Sequence, residues 1–492
     1  MRGAVDLAAA RQKRLCSRTM SVAVPGHIFR EYDIRGVAER DLSDSIAHGI
    51  GRGFGAMLSE GRSEKEPLRV AVGRDCRLSS PRLFAALVKG LVEAGAKVID
   101  IGEGPTPKLY FAAHHLGTDG AVMITGSHNP GDENGFKMMR GKASFFGPEI
   151  QTLKGRIEKS DFGPIKDGNV EKQDVEDAYV AEMKKRFDFS KVKGLPFVVD
   201  AGNGAGGPLA LATMKALGLE PDPLFCDMDG RFPNHHPDPT VLENIAALVA
   251  RVKATKARVG IAYDGDADRL GAVDENGDVI WGDKLMILFS RALLKERAGA
   301  TILGEVKCSQ TLYDDIAKHG GKPVVWKTGH SLIKTKMKET GALLAGEMSG
   351  HLFFADRYFG YDDAIYASLR LLEILANDPR PLSAMLADVP KTFTTPELRV
   401  DCPDAIKFKV VAAVTKHFKD AGNDVLDIDG ARISFAAKGA KSDDPPKWGL
   451  VRASNTGPVL VMRFEAGTAP ELETIRRQVE AVVTAERAKL AS

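Results

Sequence analysis

The sequence predicts an α/β protein of several sheets that ends in a smaller α+β unit, and three observations predict it. Apolar strand-like runs alternate with helix-like runs over roughly 350 residues, the pattern of parallel strands joined by helices. The C-terminal part carries hairpin signals instead. The length of 492 residues allows three or four domains, at roughly 100–200 residues each.

Residues 68–102 form the first strand–helix–strand unit: LRVAVG, a helix with Ser80 as N-cap and Pro81 in its first position, then KVIDIG. Phe84, Leu87, Val88, Leu91 and Val92 fall on one face of a 3.6-residue period, and Gly95 ends the helix. The second strand is expected to lie parallel to the first. The grammar returns as LPFVVD (195–200), a glycine-rich turn, a helix to about residue 217, PLFC (223–226), a helix over about 241–253 and RVGIAYD (258–264). A third block has TILGEVKC (301–308), a helix, PVVWK (323–327), another helix and LLAGEM (343–348). After it, DVLDIDGARISFA reads as strand, Asp429-Gly430 turn and strand; WGLVRAS and PVLVMRFEA form a second hairpin, and a helix over about 470–488 closes the chain. KGAKSDDPP (438–446) reads as a loop.

Composition excludes several function classes. With 68 basic and 66 acidic residues the chain lacks the positive field of a nucleic-acid binder, so no nucleic-acid partner is expected. No apolar run approaches the ~20 residues a membrane span needs, and no membrane partner is expected. Cys16, Cys76, Cys226, Cys308 and Cys402 are scattered without a CxxC, which points to reduced thiols and a cytoplasmic setting. The basic residues 1–24 have too short an apolar run for a secretory signal and read as a frayed tail.

Four segments at predicted strand ends carry chemistry, where α/β proteins commonly place ligands. In TGSHNP (125–130) a glycine and an Asn-Pro hold Ser127 on a tight exposed turn, with His128 and Lys137 near; an ordinary turn is the competing reading, and the absence of G-x-S-x-G rules out a hydrolase elbow. In DGDADR (264–269), Asp264, Asp266 and Asp268 can converge on one hard cation such as Mg²⁺, against a solvated Asp-Gly turn. In GEMSGH (346–351), Glu347, Ser349 and His351 alternate along an extended segment and project to one side, suited to adjacent sugar hydroxyls or else to a buried polar cluster. Residues 327–330 (KTGH) precede it. RASNTG (452–457) offers a guanidinium, two hydroxyls and an amide to a dianionic phosphate, or is a plain hairpin turn. Asp274 to Asp278 reads as a structural turn, and His114-His115 and His235-His236 as surface or core residues.

A fifth segment, Gly202-Asn203-Gly204-Ala205-Gly206-Gly207, satisfies G-x-G-x-x-G after a strand and has Asp227 downstream, which by pattern alone suggests a dehydrogenase. Glycine accounts for 50 of the residues, so such a match arises easily by chance, and nicotinamide chemistry leaves the three aspartates unexplained.

Taken together, FREYDIRG (29–36), TGSHNP with NGFK (134–137), DGDADR, KTGH, GEMSGH and RASNTG resemble the α-D-phosphohexomutase family, most closely its bacterial phosphomannomutase/phosphoglucomutase members. The resemblance implies four domains in a heart-shaped arrangement around a central cleft, the first three α/β with mixed sheets and the fourth a mobile α+β lid. It divides the chain into a tail (1–24), a serine-loop domain (25–170), a metal-loop domain (171–278), a sugar-loop domain (279–390) and a phosphate-loop domain (391–492). A hinge is expected near 388–396, at Asp388-Val389-Pro390 and Thr395-Pro396.

Carried over by residue, the resemblance implies that Ser127 is the phosphorylated serine and a metal ligand with Asp264, Asp266 and Asp268. His128, Lys137, Arg35, Arg269 and His351 fall in the catalytic set, of which Lys137, His351 and Arg35 are candidate bases that sequence cannot rank. Tyr32, Lys327, His330, Glu347, Ser349, Arg452, Ser454, Asn455 and Thr456 fall in the substrate-binding set. The implied reaction moves a phosphoryl group between the 1- and 6-positions of mannose or glucose phosphate through phosphoserine and a bisphosphate. The implied cofactors are Mg²⁺ and a catalytic amount of hexose 1,6-bisphosphate as activator, and the chain is expected to be a monomer or weak dimer. The alternatives are a glucosamine-phosphate mutase, whose serine loop usually begins differently, a sugar-phosphate phosphatase, and a non-catalytic sensor.

Overall fold

The computed structural model describes residues 24–63, 66–192, 194–436, 444–455 and 457–491. The expected tail up to residue 23, most of the 438–446 loop and Thr456 lie outside the described residues. Four sheets follow one another along the chain.

The first has seven strands in the order Ile34–Val37, Glu133–Arg140, Gly120–Ile124, Leu68–Arg74, Ala96–Glu103 and Asn169–Lys172, with Ala143–Ser144 beside Glu133–Arg140. Leu68–Arg74 runs parallel to both Ala96–Glu103 and Gly120–Ile124, as the strand–helix–strand grammar requires, whereas Glu133–Arg140 returns antiparallel. The intervening helix, Ser80–Glu93, buries Leu83, Leu87, Val88 and Leu91. Its cap is Ser79 and not Ser80, because the Ser80 hydroxyl donates to Asp75 Oδ1 at 2.6 Å.

The second sheet orders Val279–Ile280, Leu270–Asp274, Val259–Tyr263, Phe197–Asp200 and Asp222–Leu224. The third orders Lys322–Trp326, Thr301–Glu305, Leu344–Gly346 and Leu352–Phe354. Each mixes parallel strands with one antiparallel return. The helix expected over 241–253 occupies Ala246–Thr255, because Asp238 and Asn244 hold the preceding chain in turns: Thr240 donates to Asp238, and Asn244 Nδ2 donates to the Asp238 carbonyl at 3.0 Å. Asp274 to Asp278 is the expected turn between paired strands.

The fourth sheet is antiparallel throughout and is covered by Asp404–Asp420 and Ala469–Ala491. Both expected hairpins are present, and Gly430 takes φ +92°, a left-handed turn position that glycine suits. The hinge expectation needs correction at its C-terminal end. Thr395 donates its N–H to the Phe464 carbonyl at 3.0 Å and accepts from the Phe464 N–H at 3.1 Å, so Thr395 is part of the fourth sheet. The connection between the third and fourth sheets therefore lies before Phe393–Thr394.

This fourth domain docks on the third through buried groups. Glu465 is fully buried and accepts from Ser309 Oγ at 2.6 Å, the Gln310 N–H at 3.0 Å, Thr392 Oγ1 at 2.8 Å and the Trp448 indole. Arg432, stacked on Trp448 at 3.9 Å, and Arg463 donate to the carbonyls of Cys308 and Lys307. Glu465→Gln presents an amide N–H₂ to hydrogen-bond donors, and leaving buried donors unmet costs about 2 kcal/mol. In calorimetry the variant is expected to lower the unfolding midpoint, with an unchanged midpoint counting against the clamp.

Candidate active site

Each of the four chemistry-bearing segments is the loop between a strand and its antiparallel neighbour. The serine loop links Gly120–Ile124 to Glu133–Arg140, so Lys137, opposite Met123 in the ladder, returns beside it. Ile34–Val37 pairs with the same return strand and brings Arg35 alongside. Ser127 has φ +50°, a conformation uncommon for a non-glycine residue and found where surrounding structure enforces it. The enforcement comes from Arg77, fully buried, whose guanidinium donates to the carbonyls of Ser127 (2.7 Å), Asn129 (2.6 Å) and Glu133 (2.9 Å). Asp75 holds the Gly126 N–H at 3.2 Å.

The aspartate loop lies directly against the serine loop. A Cβ at Gly265 would come within 2.2 Å of the Ser127 carbonyl, so only glycine permits this approach. The run from Gly202 to Gly207 seats the other side. Ala205 N–H donates to the Gly265 carbonyl at 2.9 Å, and a Cβ at Gly206 would overlap Ala267 at 2.4 Å. The dinucleotide pattern is thus a close backbone packing surface. His235 and His236, read from sequence as uninvolved, also belong here: His235 Nε2 lies 3.0 Å from Asp200 Oδ1, and His236 contacts the His128 carbonyl.

Ser127 Oγ donates to Asp264 Oδ2 at 2.7 Å and lies 3.1 Å from His128 Nδ1. Asp264, Asp266 and Asp268 are all fully buried, with carboxylate oxygens within 4.8 Å of one another. Lys137 Nζ donates to Asp266 at 2.7 Å and to Asp268, and Thr106 Oγ1 donates to Asp266. Burial and the repulsion of Asp268 and Asp266 push Asp264 well above the usual carboxylate range. Burial also acts to raise Asp268, but Lys137 and Arg269 outweigh it and hold Asp268 below that range. Burial opposes the Lys137 charge, yet Asp266 and Asp268 keep it above the ordinary lysine value. Arg35 behaves likewise beside Asp33, to which its Nε donates at 2.6 Å. Asp266 Oδ1 and Asp268 Oδ1 are buried without a hydrogen-bond partner among the described residues. A cluster of hard oxygen donors with two unsatisfied lone-pair sites fits a divalent cation.

The sugar-loop segment departs from the extended geometry expected for it. Gly350 N–H closes on the Glu347 carbonyl at 3.1 Å and Gly350 has φ +94°, so residues 347–350 turn. Glu347 and Ser349 still meet, Ser349 Oγ donating to Glu347 Oε2 at 3.1 Å, and Glu347 Oε1 accepts from the Gly329 N–H at 2.7 Å. Burial and the neighbouring Glu305 push Glu347 up to about 7. Arg269 Nε donates to His351 Nε2 at 2.8 Å, and that nitrogen is 3.5 Å from Asp268 Oδ1. Burial and Arg269 hold His351 well below the ordinary histidine value, and burial with Lys334 does the same to His330. Burial and Arg269 likewise depress His128.

The phosphate-loop residues stand apart from this cluster but are tied to it. Asn455 Nδ2 donates to Tyr32 Oη at 2.9 Å, and Tyr32 Oη donates to the Thr328 carbonyl at 2.9 Å. Asp429 bridges the Thr328 N–H (3.0 Å) and Arg452 Nε (3.1 Å). The carbonyl of the buried Ser454 accepts from Lys407 at 2.6 Å. Lys327 is exposed; burial pushes the nearby Glu31 carboxyl above its ordinary value, and the Lys327 charge opposes that rise.

Family models for the phosphoglucomutase/phosphomannomutase α/β/α domains I, II and III match residues 26–164, 177–277 and 281–393, and that for the C-terminal domain matches 397–482. The chain belongs to the phosphoglucomutase/phosphomannomutase family. It is 46% identical over 470 residues to a phosphomannomutase/phosphoglucomutase of Pseudomonas aeruginosa, covering 95% of this chain and 98% of the relative. A phosphoglucomutase of Neisseria gonorrhoeae is 43% identical over 464 residues, 93% of this chain and 96% of that one. A crystal structure of a phosphoglucomutase/phosphomannomutase family protein from Burkholderia thailandensis superposes with TM-score 0.85 at 42% identity, covering 94% and 98% of the two chains. The chain is therefore an enzyme of the isomerase class, a phosphohexomutase.

Several residues of this family member's site escaped sequence reasoning. Asp75 and Arg77 follow a strand end in GRDCR, and Asp362 lies within the aromatic-rich FGYDD; all three are buried charges that no spacing rule singles out. Gly265→Ala is expected to push the serine and aspartate loops apart and lower kcat at least about 100-fold, since misplacement of the order of 1 Å has that effect. Steady-state assay beside circular dichroism checks it, and a folded variant with kcat within a factor of a few would refute the packing argument.

Proposed function

We propose that this enzyme transfers a phosphoryl group reversibly between the 1- and 6-positions of mannose and glucose phosphates through phosphorylated Ser127 and a sugar 1,6-bisphosphate. The observation that carries the reading is Ser127 Oγ at 2.7 Å from Asp264 within a buried trio of carboxylates. A structural serine needs no such cluster, whereas phosphoryl transfer rests on positioning and charge neutralisation.

In this reading Asp264, Asp266, Asp268 and the Ser127 phosphate would hold Mg²⁺. The ion supplies charge neutralisation that makes the serine oxygen a better leaving group. Lys137 and Arg35, kept charged by Asp266, Asp268 and Asp33, bind the phosphoryl oxygens and do not accept protons. His351 is held neutral, and its Nε2, the acceptor of the Arg269 hydrogen bond, exchanges that partner for the attacking sugar hydroxyl and takes its proton. The Ser127 Oγ–P bond breaks as the sugar O–P bond forms. His128 and Arg269 complete the surroundings of the serine.

Glu347, Ser349, His330 and Lys327 bind sugar hydroxyls in either direction, and Arg452, Ser454, Asn455, Thr456 and Tyr32 grip the phosphate that is not reacting. The bisphosphate turns end over end, and a bisphosphate lost to solvent is replaced from a catalytic amount of hexose 1,6-bisphosphate activator. The domain division at 25–170, 171–278, 279–390 and 391–492, a monomeric or weakly dimeric state and a cytoplasmic setting go with this reading. Cys76, Cys226, Cys308 and Cys402, all free thiols, support the last. No helix among the described residues is long and apolar enough to cross a membrane.

Mass spectrometry is expected to find about 80 Da extra on the Ser127 peptide. Ser127→Ala removes both this mass and activity, and chelation of Mg²⁺ abolishes turnover until Mg²⁺ is restored. Glucose 1-phosphate becomes glucose 6-phosphate without free phosphate; stoichiometric phosphate release would instead identify a phosphatase. The names of the relatives favour glucose and mannose over glucosamine. Because these two sugars differ only at the 2-hydroxyl, both are expected to turn over, and a preference of a thousandfold or more for one would overturn dual use.

A further inference from the structure

Beside His351 lies a buried carboxylate outside the catalytic set. Asp362 is fully buried, between the strand Leu352–Phe354 and the helix Ala364–Asn377. Lys334 Nζ donates to Asp362 Oδ1 at 3.0 Å and packs over the Tyr110 ring of the first domain at 4.4 Å. Among the described residues the other oxygen, Oδ2, has no hydrogen-bond partner, and it faces two ring nitrogens that also have none there: His351 Nδ1 at 3.6 Å and His330 Nδ1 at 3.8 Å. Three buried unpaired polar atoms gathered around one point require an explanation.

The proton on His351 follows from its other nitrogen. Arg269 Nε can only donate, and it lies 2.8 Å from His351 Nε2, so Nε2 must accept and the proton of a neutral ring resides on Nδ1. That proton faces Asp362 Oδ2 at 3.6 Å, with Glu347 Oε2 next at 3.9 Å. The same assignment disfavours a metal ion at Asp268, His351 and Asp362, although their ligand atoms lie within 4.8 Å of one another. An ion on Nδ1 would move the proton to Nε2, against the Arg269 donor.

We propose that Asp362 is a positioning residue for His351. Its carboxylate, anchored by Lys334, faces the Nδ1 proton and fixes ring and tautomer, so that Nε2, the acceptor of the Arg269 hydrogen bond, stays the unprotonated nitrogen of the ring. The separation of 3.6 Å exceeds a hydrogen bond, and such contacts commonly tighten when substrate binds. The arrangement follows the general logic by which a buried carboxylate orients a histidine base. It rests on the proposed role of His351, but the tautomer itself does not.

Asp362→Asn tests it by reversing polarity. Lys334 claims the single amide oxygen, so the amide N–H₂ faces Nδ1 and favours the wrong tautomer. The full chain with ¹⁵N-labelled histidine, assigned with His351→Gln, is expected to show His351 protonated at Nδ1 in the wild type and shifted toward Nε2 protonation in Asp362→Asn. With glucose 1-phosphate, kcat is expected to fall by about 10- to 100-fold, the usual range for a group that orients a liganding or reacting histidine, with KM changing much less. Lys334→Met, which frees the carboxylate without removing it, is expected to keep the wild-type tautomer. A wild-type ring protonated at Nε2, a tautomer unchanged in Asp362→Asn, or kcat within twofold of wild type would each overturn the proposal. So would stoichiometric Zn²⁺ binding that Asp362→Asn abolishes. Absence of mutase turnover in the wild type would sink the functional reading instead, leaving the tautomer measurement to decide this one.

Discussion

Three carboxylates buried in one loop constrain everything around them. Taking a single ion out of water costs several kcal/mol after relaxation, and Asp264, Asp266 and Asp268 are each fully buried. Arg269 of the same loop supplies part of the countercharge, but Lys137 comes from a different sheet, and Thr106 adds a hydrogen bond from the same first domain. The second domain therefore meets only part of the need of its own acidic loop. Its docking against the first is a condition for the buried charges, and Ser127 arrives in contact with Asp264 as part of the same junction.

A single architectural device, repeated four times, makes that junction possible. A strand ends, a short loop carries the polar groups, and an antiparallel neighbour returns from it. The loop is thus held at both ends by ladder hydrogen bonds, so side chains such as Arg35 and Lys137 can be delivered from the strands that flank it. Rigid delivery of this kind suits phosphoryl transfer, in which placement and charge matter more than the covalent abilities of the protein.

Much of this was legible in the sequence because short-range patterns encode it. The 3.6-residue face of Leu87, Val88 and Leu91, the Asp429-Gly430 turn and the alternation of strands with helices all follow from local chemistry, and each corresponds to an observed element. The aspartate trio was legible because like charges so close in sequence demand compensation. What sequence spacing could not carry were partners brought together by tertiary packing. Lys137 with Asp268, Arg77 with the Ser127 carbonyl and Tyr32 with Asn455 are separated by 131, 50 and 423 positions. The glycine run at 202–207 misled for a related reason: close backbone approach is the same physical need whether the neighbour is a pyrophosphate or, as here, Gly265 and Ala267. Local propensity also gave way to side-chain competition at Ser80, claimed by Asp75, and at 241–245, where Asp238 and Asn244 hold turns.

The contact between Tyr32 and Asn455 acquires a meaning beyond its modest strength. The fourth domain is anchored to the third by Glu465, Arg432 and Arg463, while at its loop tip Asn455 touches the first domain through a neutral hydrogen bond. Firm attachment at the base and a weak fastening at the tip is the mechanical layout of a latch. A bond worth about 1 kcal/mol opens with thermal motion and recloses without rearranging the base. A fastening of that kind lets the loop tip part from the first domain while the base keeps its buried contacts with the third.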